Sequence, residues 1–355
     1  MATYSESRAK ELTILTREQL KELPLVCGDF IQSIAFTTQP LTRYVYVGDL
    51  KIFCDYLVAE IPRFADKSVP ALTPEDFADV TVRDLHTYLQ YLDFYIKDDQ
   101  ERSNSDYGKI RKLSSLRSFY EYMFKNSLIP SDVTKLVDMP KKHEKPILRM
   151  EIDEVVRMLD CVENGESQTE RQKKYNSHTK ARDLAILSLF LGTGIRVSEL
   201  VGLDISDVDF TTNSFLITRK GGNKAILYFS DEVCEPLKAY LKLRNEMAPA
   251  PGDENALFLS LQNKRISVRT VEVMVKKYAT AAAPLKQRLS PHKLRSTFGT
   301  NLYRETGDIY LVADVLGHKD VNTTKRHYAA MSDERRRMAA TKIHLRDEDD
   351  KGSSE

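Results

Sequence analysis

The sequence predicts a mainly helical protein of two domains, the second containing a small antiparallel sheet. Apolar residues recur at three- and four-residue steps through most of residues 11–126. The stretch PSDVTKLVDMPKKHEKP, between residues 130 and 146, then breaks that period with prolines and lysines. Further on, FLITRK and AILYFS flank GGN, the signal of a β-hairpin. A length of 355 residues fits two cores better than one.

In the first half, Tyr46, Leu50, Phe53, Cys54 and Leu57 share one face of a helix, and Leu113, Leu116, Phe119, Tyr120 and Met123 share a face of another. Both faces need partners, which predicts a bundle. The proline-rich stretch reads as an extended connector, because proline lacks an amide donor and restricts the residue before it. Domain boundaries are set at 1–137 for the bundle, 138–148 for the linker and 149–345 for the second domain. The acidic end, 346–355, has no apolar residue to bury and is expected to be disordered.

The second domain opens with a helix in MEIDEVVRMLDCV. The polar run ENGESQTERQKKYNSHTK is expected to be a loop, and ARDLAILSLFLGTG a buried helix ended by glycine. After the hairpin, helices are expected again from residue 268 to 345.

Composition narrows the function. Hydrophobic residues make up 41% and charged residues 30%, and no apolar run is long enough to span a membrane. The polar start MATYSESRAKEL lacks the apolar centre of a signal peptide, so a cytoplasmic protein is expected. Cys27, Cys54, Cys161 and Cys234 are too widely spaced for a zinc ribbon or a disulfide framework and are expected to be buried thiols. The net charge of +1 says little about phosphate binding, which depends on local field. Locally, Lys109, Arg111, Lys112 and Arg117, followed by Lys141, Lys142 and Lys145, form a basic run expected to meet DNA.

Chemistry-bearing residues gather in the second domain. Arg196 follows two helix-breaking glycines in LGTGIRVSEL, with Glu199 three positions on as an ion-pair partner. His292 and Arg295 lie three apart in a helix that Ser290 and Pro291 start well. His318 follows the glycine that ends the helix IYLVADVL. Each has an ordinary structural role when taken singly. Together, several cations, two imidazoles and a tyrosine hydroxyl, without a metal-ligand pattern, suit a phosphodiester. Guanidinium groups bind phosphate oxygens through paired hydrogen bonds and stabilise the extra charge of its transition state.

In this order the motifs GIRVSEL, RKGGNK, HKLR, LGH and RHY resemble those of the tyrosine recombinases, or phage integrase family, in its Xer and integrase-type members. Six matching residues, Arg196, Lys220, His292, Arg295, His318 and Tyr328, span more than 130 positions. The resemblance implies a helical, SAM-like core-binding domain followed by an α+β catalytic domain. It also implies strand cleavage through a 3′-phosphotyrosyl link, with no metal, ATP or other cofactor. Tyr328 is then the nucleophile, His292 the proton acceptor, Arg196 and Arg295 the phosphate clamp, His318 a further donor and Lys220 the proton donor. Lys224, in the same turn, fits the family spacing less well. One residue more than usual separates His318 from Tyr328, which puts His327 at the aligned position; Tyr328 is kept because a phenol forms the stable ester.

The implied partners are duplex DNA with a specific site and further copies of this chain, a dimer per site and a tetramer in synapsis, joined through a C-terminal segment exposing Met338, Ile343 and Leu345. The role is either Xer-type chromosome-dimer resolution or integration and excision of a mobile element. A non-catalytic DNA-binding protein of the same fold and a type IB topoisomerase-like nicking-closing enzyme are the alternatives.

Overall fold

In the computed structural model the described residues are 4–97, 99–141, 148–165, 170–219, 222–286, 289–318 and 321, with 170–178 described by their backbone alone. The chain divides into two compact units, residues 1–145 and 146–355.

The first unit contains α1 (Tyr4–Leu20), α2 (Leu25–Ser33), α3 (Pro40–Glu60), α4 (Pro74–Ala78), α5 (Val82–Tyr91) and α6 (Asp106–Lys125). Its core forms where α3 packs on α6. Leu50, Phe53, Cys54 and Leu57 of α3 and Leu113, Leu116, Phe119, Tyr120 and Met123 of α6 are all fully buried there, and Tyr46 packs against them. Phe119 sits edge-on to Phe30 at 5.5 Å and to Phe77 at 5.1 Å, ring geometry that adds to the burial of apolar area. All four cysteines are buried free thiols, as their spacing predicts.

A short antiparallel hairpin, β1 (Tyr95–Lys97) with β2 (Gln100–Arg102), interrupts the helices. Two three-residue strands are too short to show a period in sequence. Residues 133–136 form a 3₁₀ turn rather than extended chain, and Ile129 and Val137 are buried in the bundle core. The predicted connector therefore starts later than Pro130.

The second unit comprises α7 (Ile152–Asn164), α8 (Glu170–Thr193), α9 (Val197–Val201), β3 (Val208–Asp209), β4 (Ser214–Thr218), β5 (Lys224–Tyr228), α10 (Asp231–Glu246), α11 (Val268–Ala282), α12 (Pro291–Thr306) and α13 (Ile309–Leu316). Helix α8 is the hub and packs on α7, α10 and α12. Ala185, Ile186, Leu187, Leu189 and Phe190 are all fully buried, as a helix apolar on every side must be. This helix starts at Glu170, so residues 170–180 are helical and not the loop that their polarity suggests. The stretch contains no glycine or proline and is rich in good helix formers, and propagation from a buried helix costs far less than nucleation.

The predicted hairpin is β4–β5, with β3 added in the order β3-β4-β5. Its apolar residues alternate: Phe215, Ile217 and Leu227 are buried, whereas Ile226 and Tyr228 are exposed. Residues 322–355, which include the expected C-terminal docking segment and acidic tail, lie outside the described residues.

Helix α5 begins with a capping box. The Asp84 carboxylate accepts from the Thr81 amide and hydroxyl, both at 2.8 Å, and pairs with Arg63. Burial alone would raise the Asp84 carboxyl, but the Arg63 guanidinium and the two Thr81 donors outweigh it and hold it below the usual aspartate range. The folded value thus lies below the unfolded value of about 4, so the stabilisation is complete above that value and lost as pH falls through the folded one. Asp84→Ala is expected to cost about 1–2 kcal/mol at pH 7, the scale of a lost cap. In urea unfolding, the gap to wild type should narrow in acid; a gap of constant size from pH 7 to pH 2.5 would contradict the linkage.

Candidate active site

The site is built on the carboxyl end of α13. Gly317 turns the chain at φ +60, and the closing hydrogen bonds are His318 N–H to Ala313 O at 2.9 Å and Gly317 N–H to Asp314 O at 2.8 Å. That pattern is a Schellman motif, with glycine in the left-handed region where a Cβ is disfavoured. It satisfies the carbonyls of Ala313 and Asp314 and, among the described residues, leaves those of Val315, Leu316 and Gly317 without helical partners.

Arginines fill the gap. Arg196 donates from one terminal nitrogen to Leu316 O at 3.1 Å and Gly317 O at 3.0 Å. Arg295 donates to the same Leu316 O and to Gly194 O. Two guanidinium groups thus share one oxygen, at the partly negative end of a helix. That arrangement also suits an anion, whose oxygens could take the same donors.

Each arginine is placed by its own element. Gly194, at φ +63, ends α8, and a Cβ there would lie 2.4 Å from Phe298 and 3.0 Å from Leu316, so the turn is pressed directly on α12 and α13. Arg196 caps α9 and is held twice by the buried Glu199, from its backbone N–H at 2.9 Å and its guanidinium at 2.7 Å. The expected Arg196–Glu199 pair is present, and it leaves the second guanidinium nitrogen to reach α13. Arg295 is only 5% exposed, on the buried face of α12 with Leu294.

His292 is exposed although it lies one turn before Arg295. It occupies the first turn of α12, where the helix rim meets solvent. His318 is half-buried, directly after the Schellman turn. Arg196, Arg295 and His318 therefore lie around one helix end. Lys220, His327 and Tyr328 lie outside the described residues, as do Lys142 and Lys145.

Sequence reasoning missed Arg219. Its terminal nitrogens donate to Val315 O at 3.0 Å and to Asp314 O at 3.4 Å, so a third arginine reaches the same helix end. Its position directly before Lys220 is the only hint the sequence contains.

Much of the basic run expected to meet DNA is paired within the first unit: Lys109 pairs with Asp93 at 2.5 Å, and Arg111 and Lys112 both pair with the buried Asp49. Lys112 is 4% exposed, which takes it off the surface. Burial pulls its ammonium below the ordinary lysine range, with the Asp49 charge opposing. Arg117 donates to Val137 O at 2.5 Å and lines a cleft of about 270 Å³ with Glu121, Asp132 and Lys135. Lys141 is exposed. The helical period gives the reason for Lys112: it lies one turn before Leu116 on the inward side of α6, so it needs an internal partner.

Among the described residues no helix is long and apolar enough to cross a membrane, and no group of three His, Cys, Asp or Glu is placed to hold a metal ion.

The GIRVSEL, HKLR and LGH motifs, with the similarities that follow, place the chain in the class of tyrosine-type site-specific recombinases. Residues 149–335 match the phage integrase family, and the chain belongs to that family. It is 31% identical over 353 residues to the tyrosine recombinase XerC of Caldanaerobacter subterraneus subsp. tengcongensis, spanning 96% of this chain and 92% of that protein. It is 30% identical to the tyrosine recombinase XerS of Streptococcus thermophilus, over 92% of this chain and 98% of that one. In fold it is similar to the XerH site-specific recombinase bound to its palindromic difH substrate, with a TM-score of 0.62, 18% identity, and 82% and 77% of the two chains covered. Lambda integrase bound to a core site gives a TM-score of 0.58 at 16% identity, covering 84% and 95%.

Asp49→Ala leaves Lys112 buried beside Arg111 without a counter-charge. Such a loss is expected to cost about 3 kcal/mol. Chemical denaturation would measure it; a cost under about 1 kcal/mol, the scale of a surface pair, would mean that Lys112 reaches solvent.

Proposed function

We propose that this chain cleaves and rejoins duplex DNA at a specific site through a 3′-phosphotyrosyl intermediate, in the Xer-type role of resolving chromosome dimers. The observation that carries the chemistry is the sharing of Leu316 O by Arg196 and Arg295. A phosphate entering there meets donors that are already converged, and the reorganisation is made in folding rather than in reaction. Similarity to XerC and XerS proteins over more than nine-tenths of this chain supports the role.

Tyr328 attacks the scissile phosphorus, its proton passing to His292, because a phenol near pKa 10 is mostly neutral at pH 7 and imidazole accepts protons there. Arg196 and Arg295 hold the non-bridging oxygens, with His318 as a further donor. Lys220 gives a proton to the departing 5′-oxygen. The phosphodiester energy is kept in the tyrosyl ester, so a free 5′-hydroxyl from another strand reverses the step without ATP. The bundle and the catalytic domain both hold the duplex. Lys141, Lys142 and Lys145 supply phosphate contacts in the linker, which makes affinity steeply dependent on salt.

The test is a nicked suicide substrate whose site is recovered by binding selection from host DNA. Wild type should form a covalent adduct on denaturing gels and Tyr328→Phe none. An adduct that persists in Tyr328→Phe moves the nucleophile, to another side chain. No adduct on bound DNA would favour a non-catalytic protein, and relaxation of plasmids lacking the site a topoisomerase-like activity. A recovered site at one chromosomal locus fits the Xer role, whereas sites at the ends of an element fit integration and excision.

Deleting residues after Ser332 removes Tyr328's C-terminal neighbours that carry Met338, Ile343 and Leu345. Tetramers on paired sites should be lost while binding to a single site persists; unchanged tetramers would place the contact elsewhere.

A further inference from the structure

We infer that Arg219 is a positioning residue: its guanidinium ties the chain just after β4 to the carboxyl end of α13, the helix end that Arg196 and Arg295 also reach. The inference rests on the proposed reading of Lys220 as the proton donor, since Lys220 follows Arg219 directly in the chain.

Arg219 is tied at both ends. Its backbone closes the hairpin turn, N–H to Asn223 O at 2.7 Å and carbonyl from Gly222 N–H at 3.0 Å. Its side chain reaches about a hundred residues along the sequence, with both terminal nitrogens on the carbonyls of Asp314 and Val315. A positive group on the last carbonyls of a helix is well placed for the helix dipole. The contact is close-packed as well: a Cβ on Gly317 would lie 2.4 Å from one Arg219 nitrogen and 2.5 Å from its Cζ. Gly317 is thus glycine for two reasons, its left-handed backbone and the guanidinium lying over it.

The buried Nε of Arg219 has no hydrogen-bond partner among the described residues. Here the planar fork is committed to two successive carbonyls, and one donor is given up to reach them. Lysine, with a single nitrogen, cannot span the same pair.

The function of such a strap follows from the reaction. As the Tyr328 oxygen bonds to phosphorus, the P–O5′ bond breaks and its electron pair goes to O5′, which takes a proton from the Lys220 ammonium. Proton donation needs hydrogen-bond reach, so a turn that drifts by an ångström loses rate without losing substrate. A substrate with sulfur in place of the bridging 5′-oxygen leaves as a thiolate, whose conjugate acid is near pKa 8.5, and needs no proton donor.

The experiment is single-turnover cleavage by the full chain at saturating DNA, on oxygen and 5′-thio versions of the selected site. Arg219→Ala is expected to cleave oxygen DNA about 10- to 100-fold more slowly than wild type, part of the 10²–10⁴ of a general acid, and to come within about 3-fold on 5′-thio DNA. Lys220→Ala should show the same rescue, whereas Arg196→Ala and Arg295→Ala should not. Arg219→Lys, which keeps the charge and threatens folding least, should be intermediate on oxygen DNA. Full-rate cleavage of oxygen DNA by Arg219→Ala overturns the inference. So does an Arg219→Ala defect that 5′-thio DNA leaves in place while Lys220→Ala is rescued, which would make Arg219 a part of the clamp or the core. If Lys220→Ala is itself not rescued, the proton-donor reading fails, and the inference with it.

Discussion

Three carbonyls at the end of α13 organise the candidate site. The Schellman turn at Gly317 satisfies the two before them and cannot reach Val315, Leu316 or Gly317. Orphaned backbone acceptors in a half-buried place need donors. Arg196 from the start of α9, Arg295 from α12 and Arg219 from the β4–β5 hairpin supply them. Elements distant in sequence are thus registered on one helix end by hydrogen bonds that protein folding requires in any case.

The same bonds solve an electrostatic problem. Converged guanidinium groups repel one another, and something must offset that cost where no anion is bound. The negative end of the α13 dipole and the buried Glu199 offset part of that repulsion. The arginines are fixed and pointed without being neutralised by a competing carboxylate on every donor, which is the condition for electrostatic preorganisation. Glycines at 194 and 317 are part of the device, since each allows a close approach that a side chain would block.

The first unit shows the opposite use of charge. Lys109, Arg111 and Lys112 look like an open basic face in sequence, yet Asp49 and Asp93 answer them, and Ser115 adds a hydrogen bond to Asp49 at 2.8 Å. Counting cations along a helix overstates the field that DNA would meet, because a residue's sign is visible in sequence and its partner across the bundle is not.

What the sequence determined by itself is what depends on neighbours along the chain. Helix faces in α3 and α6, the glycine stop after α8, the β4–β5 hairpin and the Arg196–Glu199 pair all follow from spacing of one to four residues. The motifs that single out Arg196, His292, Arg295 and His318 were legible too, and with them the family to which the chain belongs. Tertiary structure alone decided the rest: that residues 170–180 extend a helix, that Lys112 turns inward to Asp49, that His292 is exposed while Arg295 is buried, and that Arg219 reaches the end of α13. Each of these depends on a partner about twenty to a hundred residues away or on a buried helix that carries its polar extension. No local pattern encodes the carbonyl that an arginine will meet after the chain has folded back on itself.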